Sequence, residues 1–130
     1  MTFENIEAPL DQIASQVVDA AYKVHKTFGP GLLENAYELC LIHELKKRGL
    51  KVESQIPVPL VFDGETLDTA FRIDLLVEDQ LIVELKATEK ILPLHEAQIL
   101  TYLKITNRRL GLLINFNVPL IKDGIKRIIL

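Results

Sequence analysis

Tryptophan is absent from this chain, cysteine occurs once, and aromatic residues make up only 6% of its 130 residues. The lone cysteine, Cys40, excludes an internal disulfide, and its place in an apolar helical pattern predicts a buried, inert thiol suited to a reducing compartment. No apolar run is long enough to span a bilayer. The opening Met1-Thr2-Phe3-Glu4-Asn5-Ile6-Glu7 is acidic and has none of the character of a secretory leader, so the expected location is the cytoplasm. Nor is there an excess of positive charge: 15 Lys and Arg against 18 Asp and Glu leave a formal net charge of -3. That excludes a protein that coats nucleic acid by bulk electrostatics, whose usual footprint is a strongly basic domain. Missing too are G-x-G-x-x-G, the P-loop, G-x-S-x-G and C-x-x-C, so dinucleotide, nucleotide-hydrolysing, serine-hydrolase and thioredoxin chemistry have no support. His95-Glu96 begins like the zinc-protease motif H-E-x-x-H. Ile99 stands where its second histidine belongs, and His25, His43 and His95 share no ligand spacing.

What the chain does have is a 48% hydrophobic content carried by Leu, Ile and Val, as expected for one domain over 1–130 with helices packed on a sheet. Ile13, Val17, Ala20, Ala21 and Val24 recur at helical spacing and predict a helix from Asp11, as its cap, to about Lys26. Gly29-Pro30-Gly31 breaks it. A second helix is predicted from Leu32 through Lys46-Lys47-Arg48 to a stop at Gly49, with Glu34 near its third position and Tyr37 on its apolar face. Val52 to Phe62 reads as extended, with Pro57 and Pro59 demoting part of it to an edge, and Asp63-Gly64 as a hairpin turn. Strands are predicted over Leu67–Val77, Leu81–Ala87, Leu110–Phe116 and Ile125–Leu130, with a helix opened by Pro93 and running to Thr106.

The chemistry-bearing residues fall on two of these strands. Side chains alternate faces along a strand, so Phe71, Ile73, Leu75, Val77, Leu81, Val83 and Leu85 are expected on one apolar face and Arg72, Asp74, Glu84 and Lys86 on the other. A tight turn at Glu78-Asp79-Gln80 sets Val77 against Leu81, which places Asp74 opposite Glu84 and Arg72 opposite Lys86. Directly opposed like charges destabilise a ladder. A divalent cation between the carboxylates resolves that conflict. So do diagonal ion pairs, Asp74 with Lys86 and Arg72 with Glu84, at an exposed surface where each contributes about 0–1 kcal/mol. For Mg²⁺, one or two carboxylates, a carbonyl such as that of Leu85, and water form a suitable oxygen set, and Lys86 on the same face can orient water or offset phosphate charge.

Further along, Gln98 and Tyr102 stand four apart on one helix face, where they either reach a phosphate, a water or Lys86, or remain an exposed amide and a half-buried ring. Glu34 fits helix-dipole chemistry without any site; at the edge of a helix beside the strand pair it is instead an extra ligand for metal or water. Lys46-Lys47-Arg48, Arg108-Arg109 and Lys126-Arg127 form three basic clusters, read as solvated element ends or as phosphate contacts.

Together these residues resemble the GxxExxY proteins of the PD-(D/E)xK nuclease superfamily, over nearly the whole chain. Gly31, Glu34 and Tyr37 match the name motif; Ile73-Asp74 followed by Glu84-Leu85-Lys86 is similar to the D…ExK signature; Gln98 to Tyr102 is similar to the QxxxY motif of RecB-type nucleases. Ile73 stands where the superfamily's name has proline. The resemblance implies an α/β (α+β) restriction-endonuclease-like fold, a mixed central sheet flanked by helices. It implies Asp74, Glu84, the Leu85 carbonyl and Glu34 around Mg²⁺ or Mn²⁺, Lys86 assisting hydrolysis, and Gln98 and Tyr102 supporting Lys86 or phosphate. The expected function is hydrolysis of DNA phosphodiesters. The alternative is a catalytically weak nuclease-fold module that binds nucleic acid or a protein partner. The small size and negative charge favour a homodimer or a protein partner for substrate grip.

Overall fold

The computed structural model describes residues 6–69 and 71–130. Helix α1 spans Ala8–Phe28 and α2 spans Glu34–Lys47, followed by strands β1 (Val52–Pro57), β2 (Leu60–Phe62), β3 (Glu65–Leu67), β4 (Arg72–Val77) and β5 (Leu81–Lys86). Helix α3 (Pro93–Thr106) leads to β6 (Leu110–Asn115), and a short 3-10 turn at Ile121–Gly124 leads to β7 (Ile125–Ile129). Five strands form a mixed sheet in the order β1-β4-β5-β6-β7, and β2 and β3 form a separate hairpin. The chain is thus α+β, with the restriction-endonuclease-like arrangement of helices about a mixed sheet. Only β5 and β6 run parallel, and α3 supplies the crossover that parallel neighbours require.

Two apolar layers sandwich the sheet. On one face, Leu75, Val77, Leu81, Val83, Leu85, Leu110, Leu112 and Ile114 pack against Leu10, Ala14, Val17 and Ala21 of α1 and Tyr37, Leu41 and Leu45 of α2. On the other, Leu76, Ile82 and Leu113 meet Ile99, Tyr102 and Leu103 of α3. Gly111 lets α3 approach closely, because a Cβ there would lie 2.6 Å from Ile99 Cγ2.

Several boundaries move for local reasons. Helix α1 begins at Ala8, so Asp11 lies in its first turn and does not cap it; Pro9 suits that first turn, and Asp11 Oδ1 instead pairs with Arg127 at 2.9 Å. Helix α2 begins at Glu34 itself, after Leu33, so Glu34 is its first residue and not its third. The expected Leu67–Val77 strand is two elements: Leu67 ends β3 in the hairpin, and the sheet resumes at Arg72. Asp63 and Gly64 both take positive φ, 54° and 77°, as the tight hairpin turn demands. Cys40 is half-buried, not sealed, because it faces the seam between α1 and α2 near the exposed Phe28 and Leu39. Residues 1–5, part of the segment read as lacking a leader, lie outside the described residues.

Candidate functional site

The register beside the Glu78–Gln80 turn is the expected one, with Val77 against Leu81, Leu76 against Ile82 and Leu75 against Val83. Past Leu75 the ladder opens. The Asp74 amide donates to Glu84 Oε1 at 3.0 Å, and the Leu85 amide donates to Asp74 Oδ2 at 2.8 Å, so each carboxylate takes a backbone donor of the opposite strand.

The simple alternation of faces fails at this point. Leu75 and Val77 pack toward α1 and α2, but Ile73 packs in the α3 layer and the Phe71 ring lies 6.4 Å from that of Tyr102. Strand β1 changes face with β4: Val52 packs in the first layer and Ile56 in the second. Between them Gln55, level with Asp74, takes φ 53°, while pairing continues on both sides of it in unchanged register. A left-handed non-glycine residue inside a strand costs on the order of 1–3 kcal/mol, a strain found at sites where geometry matters more than local stability. At the same level the Asp74 carboxylate reaches across to the backbone of β5.

Glu84 is 4% exposed. Burial, followed by the Asp74 charge beside it, pushes its carboxyl up to about 8, and the amide of Asp74 and the charge of Lys86 offset this only in part. Asp74 and Lys86 are half-buried. Among the described residues no ion pair joins Asp74 to Lys86 or Arg72 to Glu84, so diagonal neutralisation does not occur here. Across the sheet end, Glu34 remains exposed as a residue, yet partial burial and then the nearby Asp74 raise its carboxyl above the usual range, with Lys86 and the Ala87 amide acting the other way. From the α3 side Tyr102, 3% exposed, approaches the same carboxylates; burial first, then Glu84 and Asp74, raise its phenol, with the neighbouring half-buried Gln98 acting the other way. The picture of an exposed Gln98 and a half-buried Tyr102 therefore does not hold.

Glu34, Asp74, Glu84, Lys86, Gln98 and Tyr102 thus share one neighbourhood at the end of β5. They do not all close on a single point. Among the described residues no three His, Cys, Asp or Glu side chains reach metal-ligand spacing, and Glu34 stands outside the Asp74–Glu84 pair because α2 presents it from its exposed first residue. The donor set nevertheless fits a hard divalent ion: two adjacent carboxylates, one buried and without a cation partner, suffice for an ion that keeps several waters. A cavity of about 570 Å³ lined by Tyr22, Lys23, Lys26, Arg48 and Lys122 contains none of these residues. One or more residues of each basic cluster are paired elsewhere: Arg48 with Glu44 and Asp19, Arg108 with Asp79, Lys126 with Glu96, and Arg127 with Asp11.

Asn115 is a supporting residue that the strand pattern alone did not single out. It pairs with Lys86 across the parallel ladder and is 2% exposed. Its Oδ1 accepts from the amides of Thr88 at 3.1 Å and Asn117 at 3.2 Å, and its Nδ2 donates to the Thr88 carbonyl at 3.0 Å. One buried amide thereby holds the backbone that follows Lys86. The signal was a single amide within an otherwise apolar buried strand, since a buried polar group must find partners.

A family model described as the PD-(D/E)XK nuclease superfamily matches residues 11–128. No curated protein and no solved structure matches the chain significantly.

Proposed function

Because the chain belongs to the PD-(D/E)XK nuclease superfamily, whose members generally use divalent metals and bind nucleic acid, we propose that it is a metal-dependent nuclease that hydrolyses DNA phosphodiesters. Within the superfamily, the spacing of Gly31, Glu34 and Tyr37 supports a place among the GxxExxY proteins. The observation that carries the reading is the Asp74–Glu84 pair: two neighbouring carboxylates, cross-bonded to each other's strands, in a setting that disfavours both being charged without a counterion.

Asp74 and Glu84 would hold Mg²⁺ or Mn²⁺, with the Leu85 carbonyl beside them; the Leu85 amide faces Asp74, and a strand residue directs its amide and carbonyl to the same edge. When bound, the ion supplies Lewis-acid polarisation of the phosphoryl oxygen and lowers the pKa of water. The charge of Lys86 is felt at Glu84 and at Glu34, and among the described residues Lys86 enters no ion pair, so its ammonium is available to orient the attacking water and to offset charge developing on the phosphate. Glu34, set back from the pair, acts through water. Tyr102 stays protonated at neutral pH and, with Gln98 beside it, donates a hydrogen bond to phosphate or helps orient Lys86. With Arg48, Arg108, Lys126 and Arg127 held in ion pairs elsewhere and a formal net charge of -3, grip on DNA would come from a second copy or a protein partner.

The test is a titration with Mg²⁺ and with Mn²⁺. Binding to the folded state raises the melting midpoint by mass action. The wild type should show this rise together with plasmid nicking, and Asp74→Asn and Glu84→Gln, which keep shape and hydrogen bonds, should lose both. Equal nicking by all three proteins would refute the assignment. A second reading, a module that binds nucleic acid or a partner with little catalysis, is favoured by one observation: no third His, Cys, Asp or Glu side chain joins the carboxylate pair at metal-ligand spacing among the described residues. Metal-induced stabilisation and DNA binding without turnover would select it.

A further inference from the structure

Tyr37 is fully buried, yet its hydroxyl is not spent on the core. It donates to the Gly29 carbonyl at 2.5 Å and accepts from the Leu32 amide at 3.1 Å, so one phenol spans the loop between α1 and α2. That loop needs the help: Gly29 and Gly31 take φ 64° and 113°, and α2 has no side-chain cap at its start. Two residues beyond Leu32 comes Glu34. The other side of Tyr37 leads to β5. Its ring stacks on Phe116, centroids 4.4 Å apart and planes 7° from parallel, and the Phe116 amide donates to the Lys86 carbonyl at 2.9 Å.

We propose that Tyr37 is a positioning residue for the site: anchored on Phe116 against the Lys86 end of β5, it fixes the Gly29–Leu33 loop so that Glu34, the first residue of α2, is held at that end of the strand. The proposal rests on the nuclease reading for its effect on turnover, but not for its geometry. It gives each of Gly31, Glu34 and Tyr37, set at three-residue steps, a part in one device. Gly31 permits the turn, Tyr37 one turn into the helix pins it, and Glu34 between them is what the turn presents. An apolar residue at 37 would fill the core equally well. The hydroxyl, at the far end of a buried aromatic ring, satisfies both a carbonyl and an amide of the preceding loop, which an apolar side chain cannot.

The experiment compares wild type, Tyr37→Phe, Glu34→Gln and the double variant. Phenylalanine keeps the volume and the stack, so all four should fold. In the metal-free proteins, hydrogen exchange at the Leu32 amide should accelerate on the order of tenfold in Tyr37→Phe. The Ala87 amide resonance should shift in the direction that Glu34→Gln shifts it, while exchange in the middle of α1 and α2 stays unchanged. In Mn²⁺-dependent nicking, Tyr37→Phe should lower kcat about tenfold with KM for DNA unchanged, the size typical of groups that orient an active side chain. The double variant should be no slower than Glu34→Gln alone. An unmoved Ala87 amide in Tyr37→Phe, or fully additive losses in the double variant, overturns the proposal. If wild type nicks nothing while the Leu32 and Ala87 responses appear, the nuclease reading falls and the positioning role stands.

Discussion

Two glutamates are buried among the described residues, and they have opposite fates. Glu44, 8% exposed on α2, accepts from Lys23 at 2.9 Å and from Arg48 Nε at 2.9 Å, and those two hydrogen bonds hold its carboxyl down at about 2. Glu84, 4% exposed on β5, has another acid beside it and no cation in contact, and its carboxyl rises to about 8. Burial is common to both, so burial alone does not distinguish a structural carboxylate from a reactive one. The difference is whether the protein supplies the counter-charge itself. At Glu44 it does, and the group ties α1 to α2. At Glu84 it does not, and the proposed nuclease reading assigns that counter-charge to a divalent ion.

The sharpest way to break this comparison is to neutralise each carboxyl in turn. Glu84→Gln or Asp74→Asn should reduce metal-dependent nicking by at least about 100-fold, the scale of losing a charge-stabilising group from a preorganised site. Glu44→Gln should leave the rate within about twofold and instead lower the melting midpoint, because Lys23 and Arg48 lose their shared acceptor. Equal effects of the two glutamine variants on nicking would erase the distinction.

Next in size is stability without metal. At pH 8, Glu84→Gln should stabilise the protein by about 1–3 kcal/mol in urea unfolding, since the amide removes the cost of a buried charge next to Asp74. Retained or reduced stability would show that the Asp74–Glu84 contact is satisfied as it stands.

The pH dependence separates the two groups further. Glu84 has a folded value raised from 4.5 to about 8, so its favourable contribution is complete below about 4.5 and is lost as pH rises through about 8. Glu44 has a folded value lowered from 4.5 to about 2, so its contribution is present above about 4.5 and is lost as pH falls toward 2. Metal binding needs the ionised pair, and the Mg²⁺-induced rise in melting midpoint should therefore grow across the upper window. Thermal melts from pH 3 to 9, with and without Mg²⁺, check both signs.

The smallest predicted effect is at Tyr102. Tyr102→Phe keeps the ring against α3 and the sheet, and should cost about tenfold or less in nicking, the size of one lost hydrogen bond, while leaving metal stabilisation intact.

What could be read from the chain was whatever depended on neighbours in sequence. The Asp63-Gly64 turn, Pro93 at the head of α3 and the pairing of Val77 with Leu81 follow from short-range rules, and the last of these set Asp74 level with Glu84. The kink at Gln55 and Asp74 did not follow, because it arises from two strands distorting together, and nothing near Gln55 in sequence announces a left-handed residue. For the same reason Ile73 was assigned to the wrong layer. Asn115 and the Tyr37 hydroxyl make their contacts with loops 27 and 8 residues away, partners that only the folded topology supplies. The acidic pair was legible as a juxtaposition of like charges. Its burial, and the missing ion pairs to Lys86 and Arg72, emerged only from the structure.

The most direct measurement is anomalous diffraction from crystals grown with Mn²⁺. A peak between the carboxylates of Asp74 and Glu84, absent in crystals of Glu84→Gln, is the predicted result. Crystals saturated with Mn²⁺ that show no peak there, with the two acids sharing a proton or paired to Lys86, would contradict the central claim.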